Sequence, residues 1–359
     1  MLSLSPADLG RLPSSSGFAW YYFDLVSPNG DGVVLIWSLG LPFLPRRAAD
    51  RASALERPSC TISIYRGGRE HFYLLSAARP EELSWDPDRG EFRVGASRFS
   101  IHHEDGSVHF EAQLDAEIPG GGRIQGRLSL VGRACDVPRI EGDVGTHAWG
   151  PIATACDGRA SLSFGDGATF DLAGRGYLDG NRSDVPLDAL GIDDWRWGRI
   201  AFPDRELVYF HLKPERGGAP RALAIEVGVD GRTRMLDGVT ATFREGRPSL
   251  YGLRHASSLC LLTGSRDLAT VHFDSLVDDG PFYQRYLVRA VGAAGEVGHG
   301  VAERVVPARI GVPWQLPFIE MRVHRAGEAG SRWLPLFSGP REGRLGRLLR
   351  TWARGVAAA

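Results

Sequence analysis

Two short segments of the chain place groups capable of acid–base and cation chemistry at alternate positions: His147-x-Trp149 and Gly176-Tyr177-Leu178-Asp179-Gly180-Asn181. In strand geometry His147 and Trp149 share a face, as do Tyr177 and Asp179. Two such strands could aim an imidazole, an indole, a phenol and a carboxyl into one barrel lumen. Two further segments are dense in aromatic rings. One is Gly17-Phe18-Ala19-Trp20-Tyr21-Tyr22-Phe23-Asp24, which ends in an acid; the other is Trp195-Arg196-Trp197-Gly198-Arg199. Each has a plainer reading. Aromatic residues dominate ordinary cores, a single histidine is commonly a hydrogen-bonded structural residue, and Asp179 before Gly180-Asn181 suits a turn.

The elements that must position these residues read as β-strands. Val108, Phe110, Ala112, Leu114, Ala116 and Ile118 alternate with polar residues, Gly120-Gly121-Gly122 supplies a turn, and Ile124, Gly126, Leu128 and Leu130 alternate on the return. Leu162 and Phe164, Gly165-Asp166-Gly167, then Phe170 and Leu172 form a second hairpin of this kind. Leu223, Ile225, Val227 and Val229 before Asp230-Gly231 form a third, and a fresh strand-like run spans Trp195 to Leu212. The fold class is therefore all-β: two tandem antiparallel barrels or sandwiches, with few helices. We divide the chain at 17–190, carrying the candidate site, and 191–335, with a basic tail at 341–359. Pro6 to Leu12 reads as a short helix. In the tail Leu345, Leu348, Leu349 and Trp352 fall on one helical face among Arg344, Arg347, Arg350 and Arg354. That face suits either a bilayer interface or the protein's own barrel.

Composition removes several classes. A net charge of −1 carries no basic excess for nucleic acid. Cys60, Cys135, Cys156 and Cys260 show no CxxC spacing, so neither a zinc site nor a disulfide framework is expected. The pair His102-His103 before Glu104-Asp105-Gly106 reads as a solvated hairpin tip rather than a metal site, because strand neighbours face opposite ways. No phosphate loop or GxSxG elbow is present. Met1 to Gly10 lacks the basic and apolar regions of a secretory signal, which points to the cytoplasm. The apolar run Val33 to Leu44 is too short for a bilayer span of roughly 20 residues.

The ordered set of Gly17 to Tyr22, His147-x-Trp149 with Pro151-Ile152-Ala153, Gly176-Tyr177-Leu178-Asp179-x-Asn181, Pro186-Leu187 and Trp195-x-Trp197 resembles the carotenoid 1,2-hydratase (hydroxyneurosporene synthase) family. So do Asp279-Gly280-Pro281-Phe282-Tyr283 and the run from Val312-Pro313-Trp314 to Leu316-Pro317-Phe318. The resemblance covers about Gly17 to His324. It implies a lipocalin-like tandem-barrel fold and a cofactor-independent hydro-lyase. The substrates would be water and an acyclic carotenoid of the lycopene or neurosporene type. Residue by residue, it carries the family's catalytic roles to Asp179, His147, Trp149 and Tyr177. Trp20, Tyr22, Asn181, Trp195, Trp197, Phe282 and Tyr283 are the expected substrate-binding residues. Tyr21 and Tyr22 stand where relatives often carry tryptophan, which bears on pocket width.

The implied reaction protonates C2 of a terminal alkene and lets water capture the tertiary cation at C1. Asp179 must stay protonated for this, which an apolar pocket favours. Trp149 and Tyr177 would face the cation with their π clouds. His147 would bond Asp179, or hold the water and take its surplus proton. No metal, flavin or nicotinamide is required. A lipid substrate also implies peripheral contact with the inner face of the cytoplasmic membrane. Two other readings share the fold: a pericyclase or hydratase of another polyene or terpenoid, and a non-catalytic carotenoid or lipid carrier.

Overall fold

The computed structural model describes residues 17–44, 53–86, 89–135, 140–141, 147–215, 217–328 and 330–357. Among them, strands form two curled sheets. The central strands of the first sheet run in the order Arg69–Ala77, Pro58–Arg66, Gly32–Leu39, Phe18–Val26, Thr169–Ser183, His147–Phe164, Arg123–Ala134 and Ser107–Glu117. The second runs from Thr233–Leu236 through Arg221–Gly228, Arg205–Pro214, Ile192–Ala201, Val297–Val305, Tyr283–Gly292, Arg266–Asp279 and Arg254–Thr263 to Val239–Pro248. Pairing along both paths is antiparallel, and the three hairpins expected from alternation are present. After the second sheet the chain returns to the first: Val323–Arg325 and Gly339–Pro340 both pair with Arg69–Ala77.

The hydrophobic pattern explains three buried layers. Tyr21, Phe23 and Leu25 point into the first curl with Trp37, Phe99 and Phe110. Ile200, Leu207 and Tyr209 point into the second with Leu259 and Val271. The alternate residues, Trp20 and Tyr22 on one sheet and Trp195, Trp197, Val208 and Phe210 on the other, pack between the sheets. Phe18–Val26 and Gly32–Leu39 are consequently buried along their whole length on both faces. Two-sided burial accounts for the apolar run Val33 to Trp37, since such a strand needs no polar face.

His102 and His103 lie exposed beside the Asp105-Gly106 turn. The tail forms a helix at Arg344–Ala357, whereas the expected helix at Pro6 to Leu12 lies outside the described residues. Leu348 of the tail is buried, but Leu345 and Leu349 are 65% and 66% exposed. Trp352 packs edge-on against Trp333 at 4.9 Å and donates its indole N–H to the Arg332 carbonyl at 3.2 Å. Among the described residues no helix is long and apolar enough to cross a membrane.

Candidate active site between the two sheets

The four candidate catalytic residues come from adjacent strands. His147 and Trp149 open the strand His147–Phe164, and Tyr177 and Asp179 lie near the end of Thr169–Ser183. Cross-strand register sets them in rows: Trp149, Asn181 and Trp20 are neighbours, as are Asp179, Tyr22 and Ile36. Directly paired residues share a face, so these rows make one patch. Gly176, just before Tyr177, is needed for the close approach of the central strand. A Cβ there would lie 2.9 Å from the Asp24 carbonyl oxygen and 2.5 Å from the Leu130 side chain.

The patch does not point into the first barrel's lumen, as alternation alone suggested. Leu178 occupies that interior, while Tyr177, Trp149, Trp20 and Tyr22 face the second sheet. The second sheet supplies the opposite wall. Trp195 stacks on Trp20 with centroids 5.9 Å apart and lies 4.7 Å from His147. Trp197 meets Tyr22 at 5.2 Å and Tyr177 at 5.3 Å, and Phe210 packs 5.0 Å from Trp149.

Asp179 sits in this aromatic chamber, only 3% exposed. Its Oδ2 accepts the Trp149 indole N–H at 2.8 Å and the Tyr177 hydroxyl at 3.2 Å. The Asn181 amide donates to Oδ1 at 3.3 Å, and His147 Nε2 lies 3.2 Å from the Asn181 carbonyl oxygen. His147 therefore connects with Asp179 by way of Asn181. Burial pushes the Asp179 carboxyl well above the usual carboxylate range, and the hydrogen bonds from Trp149 and Tyr177 only partly oppose this. The Tyr177 phenol is raised by burial too, and by the neighbouring Asp179.

A cavity of about 30 Å³ adjoins the acid, lined by Trp20, Tyr22, Trp149, Trp195, Trp197 and Glu303 together with Asp179 and Asn181. A second, of about 70 Å³, is lined by Phe282, Tyr283, Arg285, Arg322 and Ile319. Ile36 and Phe43 line both. Phe43 lies between the chambers, 5.8 Å from Trp20 and 6.0 Å from Phe282. The expected binding residues are thus brought together, with Phe282 and Tyr283 in the adjoining chamber rather than beside the acid.

Sequence reasoning missed Phe43, Glu303 and the buried arginines. Arg199 pairs with Asp24 of the first sheet and with Glu206 at 3.3 Å. Arg285 donates to Glu303 at 2.7 Å and to the Tyr65 hydroxyl of the first sheet at 2.7 Å. The available signal was the charge closing each aromatic run, Asp24 and Arg199, which are partners.

The family profile described as "Carotenoid hydratase CrtC" matches residues 39–332. The chain belongs to the carotenoid hydratase family. A hydroxyneurosporene dehydrogenase of Chlorobaculum tepidum is 26% identical to it, over 90% of this chain and 91% of the relative. An acyclic carotenoid 1,2-hydratase of Thiocapsa roseopersicina is 23% identical, over 87% of this chain and 74% of that one. Among solved structures, an AttH candidate from Nitrosomonas europaea superposes with a TM-score of 0.58 at 16% identity, covering 86% of this chain and 97% of its own. CghA in complex with Sch210972 gives 0.55 at 12% identity, covering 81% and 88%. These carotenoid hydratase-family sheets accordingly have the lipocalin-like tandem fold.

Proposed function

We propose that the protein is a 1,2-hydratase of an acyclic carotenoid, adding water across a terminal C1–C2 double bond with Asp179 as proton donor. The observation that carries this reading is a buried carboxyl raised by burial, bonded to an indole, a phenol and an amide, beside a water-sized cavity walled by aromatic rings. Family membership and the names of both relatives support a carotenoid as the substrate class.

The hydrogen bonds suggest which oxygen delivers the proton. Oδ2 already accepts from Trp149 and Tyr177, so the acid's own proton belongs on Oδ1. From Oδ1 it passes to C2 of the alkene. The cation at C1 faces Trp149 and Trp197, which line the cavity, each able to stabilise it by about 0.5–2 kcal/mol when desolvated, while Tyr177 holds Asp179 from behind. Asn181, fixed by His147, would orient Oδ1. The cavity is smaller than any polyene terminus, so substrate entry displaces side chains, beginning with Phe43. The remainder of the chain then lies along Phe282 and Tyr283, where burial of hydrocarbon supplies binding free energy.

We also propose that the tail helix meets the membrane that dissolves the substrate. Leu345 and Leu349 stand exposed on a helix that carries Arg344, Arg347 and Arg350. Such a surface suits anionic lipid.

The test is incubation of the purified protein with lycopene or neurosporene in lipid vesicles, in water enriched in heavy oxygen. A product heavier by one labelled water supports the reading. Unchanged carotenoids from folded protein would overturn it, and stable co-purification of unmodified polyene would favour a carrier.

A further inference from the structure

Glu303 lines the same cavity as Asp179, yet the steps above leave it idle. It belongs to the second sheet, on Val297–Val305, directly opposite Trp197 on one neighbouring strand and Arg285 on the other. All three side chains therefore share the face turned toward the first sheet. Arg285 donates to Glu303 Oε1 at 2.7 Å and is itself held by Tyr65 at 2.7 Å, Ser63 at 3.3 Å and Asp278 at 3.6 Å. Two carboxyl groups thus face one cavity in opposite settings. Asp179 is bonded by an indole, a phenol and an amide, whereas Glu303 has a guanidinium as its counter-charge. Two carboxyl groups on opposite walls of one cavity provide separate positions for a proton donor and a proton acceptor.

The cavity also has room for a water. Trp197 lines this cavity, and its indole nitrogen is buried with no hydrogen-bond partner among the described residues. A buried N–H of that kind calls for an ordered water, and about 30 Å³ accommodates one. His147, the base suggested by residue type, is not among the side chains lining the cavity, and its Nε2 faces the Asn181 amide oxygen.

Building on the hydratase reading, the geometry points to Glu303 as the general base that takes a proton from the attacking water. The balance is complete. The Asp179 O–H bond breaks as the C2–H bond forms from the alkene π pair. A water lone pair forms the C1–O bond, and one water proton moves to a Glu303 oxygen. Asp179 is left as carboxylate and Glu303 as acid, and one proton returns to Asp179 through cavity water before the next turnover. Proton donor and base therefore stand on opposite walls, one contributed by each sheet.

Glu303→Gln keeps a hydrogen-bond acceptor for Arg285 and removes the base. Wild-type, E303Q and D179N proteins are each given an acyclic carotenoid in vesicles made with deuterium oxide. Hydration and deuterium in the recovered substrate are both read by mass spectrometry. For E303Q the expected result is hydration reduced roughly 10²-fold or more, with deuterium still entering the substrate, because Asp179 can protonate C2 and take a proton back. D179N loses both signals. Wild-type hydration by E303Q overturns the proposal. So does joint loss of hydration and exchange in an E303Q protein with unchanged circular dichroism and polyene binding. If E303Q does not fold, Glu303→Asp, which preserves the charge, must show hydration falling further than exchange; equal falls overturn the assignment. A wild-type protein that neither hydrates nor exchanges any acyclic carotenoid defeats the hydratase reading itself, and the role of Glu303 with it.

Discussion

Asp24 of the first sheet and Arg199 of the second form an ion pair in which neither side chain reaches solvent. Glu206 completes a triad through Arg199 at 3.3 Å and also accepts the backbone N–H of Ala155. Ala155 has a positive φ of 49° and lies where the register of its strand shifts. The triad thus ties a bulge of one sheet to the facing strand of the other. Removing one partner strands a buried charge, at a cost of about 3–5 kcal/mol. Arg199→Met should lower the urea-unfolding free energy by that amount. A triple change of Asp24→Asn, Arg199→Met and Glu206→Gln should recover part of it. A triple variant no better than the single one would show that the charges themselves are not the issue.

Asp179→Asn should lower hydration at least 10²-fold while the thermal midpoint holds or rises. The amide oxygen can still accept from Trp149 and Tyr177, and its NH2 bonds Asn181 once that neighbouring amide turns its oxygen toward it, so the chamber keeps its shape. Turnover near the wild-type rate would remove Asp179 from the chemistry.

Stability should carry the mark of the same carboxyl. Burial raises Asp179 in the folded protein. Between the ordinary carboxylate range and that raised value the folded chain holds a proton that the unfolded chain has released. The unfolded state then binds fewer protons, so stability falls as pH rises through this window. Burial also raises Asp24 and Glu206, against the pull of Arg199. The difference between wild type and D179N isolates Asp179. That difference, from urea titrations at several pH values, should move in favour of D179N as pH increases. A difference independent of pH would contradict a buried neutral acid.

Trp149→Phe keeps a ring against Phe210 and deletes the donor to Asp179. The Trp149 hydrogen bond lowers the Asp179 pKa, so its loss should raise it further. Activity, which needs the protonated acid, should then persist to higher pH than in the wild type even as maximal rate declines. A pH–rate profile shifted the other way would argue against Asp179 as donor.

Leu345→Asp with Leu349→Asp places charge on exposed positions and leaves Leu348 buried. Co-sedimentation with anionic vesicles should drop several-fold while hydration of detergent-dispersed carotenoid is retained. Unaltered sedimentation would assign membrane contact to another surface.

The hairpins around Gly120 to Gly122 and Gly165 to Gly167 were legible because one face of each strand meets water, which makes the alternation explicit. The tail helix was legible from its 3.6-residue spacing. The direction of the candidate site was not. Phe18–Val26 is buried on both faces, so alternation separates Trp20 and Tyr22 from Tyr21 and Phe23 without saying which set meets the second sheet. Motif spacing found Asp179 and its donors because they lie two residues apart on adjacent strands. Glu303 belongs to no such spacing. Its only local sign is an acid followed by Arg304 in an otherwise apolar strand end, and its partner Arg285 is placed by strand pairing.

The return of Val323–Arg325 and Gly339–Pro340 to the strand Arg69–Ala77 has a consequence for synthesis on the ribosome. The outer border of the first sheet waits for a cover that is translated some 250 residues later. Until then its backbone amides and carbonyls are open to strand addition by any neighbouring nascent chain. A product released after the second sheet but before Val323 would retain every residue lining the Asp179 cavity and still present that sticky border. Loss of yield, rather than loss of chemistry, is the failure expected of such a truncation.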